Sequence, residues 1–63
     1  MNNRIKVLRA EHNWSQEELG KRVGVSRQAI IAIEKGKFDP SLPLAFKLAE
    51  AFGLTIEEIF SPK

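Results

Sequence analysis

Arg27, Gln28, Ile31, Ala32 and Lys35 are the residues of this sequence whose types and spacing best suit work on a partner. At 3.6 residues per turn Gln28, Ile31, Ala32 and Lys35 share one side of a single helix, opposite Ile30, Ile33 and Glu34, with Arg27 near the edge of that side at the N-terminal end. A solvated helix face is usually charged and mixed. This one joins two cations, an amide and two apolar groups, with no carboxylate among them. Arginine can donate two parallel hydrogen bonds to guanine, glutamine can bond adenine, and an apolar side chain can meet a thymine methyl. Such a set suits the reading of base edges, and Arg27 and Gln28 stand in the first turn, where a recognition helix meets bases.

Bond-breaking chemistry finds no comparable cluster. Ser15, Ser26 and Ser41 stand where helices begin and read as caps, with no base placed beside them. The single histidine, His12, has no companion ligands, so neither a triad nor a metal site is expected. The expectation is a protein that is not an enzyme and takes no cofactor, metal or small-molecule ligand. Cysteine is absent, which removes disulfides and thiolate sites and suits a reducing compartment. No apolar run reaches the roughly 20 residues of a membrane span and no signal-peptide pattern opens the chain, so a cytoplasmic protein is expected.

Charge is unevenly spread. Residues 1–37 hold eight Lys and Arg against four Glu, a balance of +4, while residues 38–63 hold two Lys against four carboxylates, a balance of −2. A basic front and an acidic back suit a polyanion met on one side only.

Five helices are predicted to position these groups, with no strand, filling the 63 residues as one all-α domain. The first runs from about Asn3 to His12, capped by Asn2 or Asn3. The second opens at Ser15, where Ser15-Gln16-Glu17-Glu18 has the form of a capping box and Trp14 with Leu19 forms a hydrophobic staple. It ends near Gly24, and Ser26 caps a third helix of about residues 26–35, so only a tight turn separates the two. Asp39-Pro40 reads as loop. A fourth helix starts near Ser41 with Leu42, Ala45, Leu48, Ala49 and Phe52 along one face. Thr55-Ile56-Glu57-Glu58 is a second capping box for a last short helix that fades at Ser61-Pro62. The predicted core is Ile5, Leu8, Leu19, Val23, Ile30, Ile33, Leu48, Phe52 and Ile59. Leu44 and Phe46 are placed on the flanks of the fourth helix.

The stretches Ser15-Gln16-Glu17-Glu18-Leu19-Gly20, Val23-Gly24-Val25-Ser26-Arg27-Gln28 and Ile33-Glu34-Lys35-Gly36 together resemble the phage-repressor and Cro-like helix-turn-helix proteins, the xenobiotic-response-element family. The resemblance covers roughly Ile5 to Phe60. It implies a compact five-helix DNA-binding domain and a sequence-specific transcriptional regulator, a repressor, bound to double-stranded DNA as a homodimer and associated with the nucleoid. By position it implies base contacts for Arg27, Gln28, Ile31 and Ala32. Backbone contacts are implied for Gln16, Ser26, Lys35, Gly36 and Lys37, and a salt bridge between Arg9 and Glu34. The C-terminal helices commonly make the dimer contact in such proteins, which points to Leu44, Ile56 and Phe60. Two residues depart from the pattern. Gly20 stands where alanine is more frequent, which implies a looser second helix, and Ala32 replaces a long polar residue, which removes one direct base contact.

An alternative within the same fold is the antitoxin of a toxin–antitoxin pair, which binds DNA and a toxin protein; no toxin-binding extension is evident. A helical adaptor for proteins would call for an acidic or strongly apolar outward face on the third helix, and this face is neither.

Overall fold

The computed structural model describes residues 1–61, and Pro62 of the predicted helix end lies outside them. Its helices are α1 (Ile5–His12), α2 (Gln16–Val23), α3 (Arg27–Glu34), α4 (Leu42–Phe52) and α5 (Ile56–Ile59). Hydroxyl caps explain where four of them begin. Ser15, Ser26, Ser41 and Thr55 accept the backbone N–H groups of Glu18, Ala29, Leu44 and Glu58 at 3.0, 3.1, 3.3 and 3.2 Å, satisfying donors that a helix start otherwise leaves free. At Thr55 the box closes in both directions, because the Glu58 carboxylate accepts the Thr55 N–H at 2.8 Å. That backbone bond, followed by the hydroxyl contact, holds the Glu58 carboxyl below its ordinary value. The box at Ser15 is only half formed: Glu18 does not reach back but turns to Arg22, at 2.9 Å.

The nine predicted core residues are all buried, and Leu44, Ala45, Ala49 and Phe60 join them. Two predicted faces on α4 are therefore corrected. Leu42 is 64% exposed, while Leu44 is buried at 9%. The reason is geometric: Leu44, Leu48 and Phe52 follow one another at four-residue steps, with Ala45 and Ala49 beside them, so the buried stripe begins after Leu42. Phe60 also belongs to this core at 8% exposure, leaving Ile56 half-buried against it.

The prediction of no strand is overturned at the chain ends. β1 (Asn2–Asn3) pairs antiparallel with β2 (Phe60–Ser61), in the register Asn2 to Ser61 and Asn3 to Phe60. Two-residue strands are too short to carry an alternating pattern, so the sequence gives no warning of them. This ribbon also moves the start of the first helix from Asn3 to Ile5. Asn3 still serves that helix end, its Oδ1 accepting the Ile5 N–H at 3.2 Å.

Trp14 sits at the corner between α1 and α2, stacked on His12 (centroids 4.4 Å apart) and tilted against Phe52 of α4 at 5.5 Å. The Arg22 guanidinium lies over its ring at 4.1 Å. The side chain thus packs the corner onto the core, and Arg22 is held between Trp14 and Glu18. Among the described residues no helix is long and apolar enough to cross a membrane.

Candidate nucleic-acid interface

The turn that aims α3 is built at Gly20 and Gly24. Gly24 takes φ +79°, a left-handed conformation that L side chains rarely adopt, and so lets the chain leave α2 abruptly. The Val25 N–H then bonds back to the Gly20 carbonyl at 2.9 Å. A Cβ at Gly20 would lie 2.6 Å from the Val25 carbonyl oxygen. Gly20 is therefore not a slack point in α2, as the departure from alanine implied; it is the place where the turn touches the helix.

α3 is amphipathic in the required sense. Ile30 and Ile33 are buried, Arg27 and Gln28 are exposed in the first turn, and Ile31 and Ala32 are half-buried on the same side. Lys35, Gly36 and Lys37 follow, all exposed. Ser26 is exposed as well, and its oxygen is engaged as the cap of α3. Its hydroxyl proton is left to donate outward.

The one carboxylate of α3 is turned away from this face. Glu34, with its side chain 7% exposed, receives Arg9 Nε at 2.6 Å and Arg9 Nη2 at 3.3 Å in a two-pronged pair. Arg9 also donates through Nη1 to the Trp14 carbonyl at 2.9 Å. Gln16 Nε2 donates to the same Glu34 at 3.1 Å. One part-buried carboxylate thereby ties together α1, the first residue of α2 and the end of α3. It also cancels its own charge before that charge could oppose a polyanion. Gln16 keeps one amide proton beyond this bond, and its orientation is fixed by Glu34. Spacing gave no sign of that Gln16–Glu34 contact, since the two residues lie in different helices.

A second cross-link also escaped the sequence. Asn3 Nδ2 donates to the carbonyl of Ile33 at 2.8 Å, joining β1 to the last turn of α3. An asparagine near a helix start reads as a cap, and nothing local points to a partner thirty positions away.

A helix presenting cations and an amide outward, set by a glycine turn across a second helix that is pinned at its base, defines a helix-turn-helix reader of duplex DNA. Comparison with known proteins agrees. Residues 5–59 match the family described as helix-turn-helix. An uncharacterized HTH-type transcriptional regulator of Methanocaldococcus jannaschii is 65% identical over 60 residues, covering 95% of this chain and 91% of that one. The cryptic phage CTXphi transcriptional repressor RstR of Vibrio cholerae is 38% identical, over 92% of this chain and 52% of the repressor. In structure, the hypothetical transcription factor NHTF from Neisseria superposes with a TM-score of 0.75 at 31% identity, over 82% of this chain and 58% of that chain. The protein belongs to the helix-turn-helix family of DNA-binding transcriptional regulators.

Proposed function

We propose that this protein is a repressor that binds a two-fold operator as a homodimer, with α3 lying in the major groove. Arg27, Gln28, Ile31 and Ala32 face the base edges, and Gln16, Ser26, Lys35, Gly36 and Lys37 hold the phosphates on either side. The observation that carries this reading is the inward turn of Glu34 onto Arg9, which leaves the exposed face of α3 cationic and amide-bearing without an opposing carboxylate. Work of this kind is done on the nucleoid, in the cytoplasm.

Size supports the dimer. Operators read by such dimers place successive half-sites about 34 Å apart, and the longest dimension of this molecule is 25 Å. One copy fills one groove, and a second is needed for the affinity gap of about 10³–10⁷ that separates specific from non-specific binding. Leu44 and Phe60 are buried alike in the monomer core, but Leu44 does not line the surface cleft in which an edge of Phe60 is presented, so Leu44 is set aside as a contact. Ile56 and the edge of Phe60 remain, lining an apolar cleft of ≈ 250 Å³ with Met1, Pro40 and the exposed Leu42.

Selection of bound duplexes from random DNA, followed by titration of variants at several salt concentrations, tests the assignment. Arg27→Ala or Gln28→Ala costs about 1–3 kcal/mol and relaxes preference at particular base pairs. Lys35→Ala or Lys37→Ala weakens all sequences alike and lowers the salt slope by about 1. Uniform loss in all four variants would overturn the division between readers and anchors. Sedimentation of the wild type and Leu42→Glu at micromolar concentration tests the dimer; a wild type that stays monomeric both free and on DNA refutes it.

A further inference from the structure

The carbonyls in the last turn of a helix have no partner inside it. In α3 that turn leads directly into Lys35, Gly36 and Lys37, so whatever satisfies those carbonyls also fixes the approach to the phosphates. The Ile33 carbonyl takes two donors: the Gly36 N–H at 3.0 Å and the Asn3 side-chain amide at 2.8 Å. The first is local. The second comes from the opposite end of the chain.

Asn3 is itself held from three directions. Its Oδ1 accepts the Ile5 N–H at 3.2 Å, which orients the amide so that Nδ2 is the atom offered to Ile33. Its backbone is paired with Phe60, and the next residue donates its N–H to the Ile59 carbonyl at 2.9 Å. The carbonyl of Met1 lies 3.4 Å from where a Cβ on Gly36 would stand, so the residue that precedes β1 lies against Gly36.

We propose that Asn3 is a positioning residue for DNA binding, fixing the phosphate-contacting end of α3 to the ribbon formed by the two chain ends. The inference rests on the reading of α3 as the recognition helix. Base readout needs Arg27 and Gln28 seated at the same time as Lys35 and Lys37, because backbone contacts set the register in which bases are met. Binding to arbitrary sequence is governed by charge and needs no such fixed relation. Losing the Asn3 bond changes no charge, so it weakens the selected complex and spares the non-specific one.

Two neutral variants separate positioning from folding. Asn3→Ser keeps an oxygen able to accept the Ile5 N–H but is too short to reach Ile33, whereas Asn3→Ala loses both bonds. Each is titrated against a duplex selected by the wild type and a scrambled duplex of equal length, at a temperature where circular dichroism shows it folded. Asn3→Ser is expected to bind the selected duplex about five- to tenfold more weakly and the scrambled duplex as the wild type does. Asn3→Ala is expected to show the same split with a lower melting temperature. Equal loss on both duplexes, or no loss on the selected one, overturns the proposal. A wild type that binds no duplex at all overturns the assignment of α3, and this inference with it. A wild type that discriminates while Asn3→Ser discriminates equally well removes the role of Asn3 alone.

Discussion

Replacing Gly20 by alanine sets two magnitudes against each other. Alanine is favoured over glycine inside a helix by about 1 kcal/mol, so propensity alone predicts a more stable protein. The structure opposes this. The new methyl carbon would lie 2.6 Å from the Val25 carbonyl oxygen and 3.4 Å from the carbonyl carbon and oxygen of Ser26. The nearest of these is backbone, so relief requires the turn itself to move. Val25 is bonded back to Gly20, and Ser26 caps α3, so the displacement reaches the start of α3. Overpacking of this kind costs about 1–3 kcal/mol, which leaves a net destabilisation of about 1 kcal/mol. In a domain this small that lowers the melting temperature by about 4–8 °C. Thermal melts of wild type and Gly20→Ala followed by circular dichroism measure it. A variant melting at or above the wild type would show that the turn yields freely and that the close approach has no energetic weight.

Ile30 and Leu48 are both fully buried, and replacing either by alanine should cost about 2–5 kcal/mol, read from urea unfolding; an unchanged midpoint would mean the packing faces are misassigned. Removing Glu34 strands Arg9 at 14% side-chain exposure, so Glu34→Ala should cost about 3 kcal/mol. A double-mutant cycle with Arg9→Ala should show coupling above about 1 kcal/mol, and additive losses would refute the pair. Because the Glu58 carboxyl is held low by Thr55, its contribution is complete above the ordinary value of 4.5 and is lost as pH falls below it. The difference in melting temperature between wild type and Glu58→Gln should therefore shrink on acidification, and a constant difference from pH 6 to pH 3 would count against the capping box.

What could be read in advance was whatever the chain states locally. Ser15, Ser26, Ser41 and Thr55 announce helix starts because a cap bonds a backbone group only three residues on. Ile30 and Ile33 fix the inward side of α3 by period alone, and the outward side follows. The tie between Arg9 and Glu34 was available only through resemblance, since no period links α1 with α3. Leu44 was misplaced because a row of Leu, Ala and Phe offers several apolar stripes, and only the packing of α4 on its neighbours chooses among them. Glu18 matched a capping box, yet Arg22 four residues on competes for the same carboxylate and takes it. The ribbon and the amide of Asn3 depend wholly on where five helices bring the two ends, which no local rule encodes.

The ribbon has a kinetic side. α2 and α3 meet across a turn of a few residues, while β1 and β2 meet across nearly the whole chain. Loop closure grows more costly by about 0.6 kcal/mol for each doubling of length, and the step from a turn of a few residues to the span from Asn3 to Phe60 is about four doublings, so pairing them from an open chain carries about 2.5 kcal/mol more entropic cost than closing the helix-turn-helix. Two-residue strands cannot repay that alone, and they form once the helices have already drawn the ends together. The expected order in folding is therefore α2 and α3 first and the ribbon last, so in hydrogen exchange the amides of the ribbon should open before those of α3.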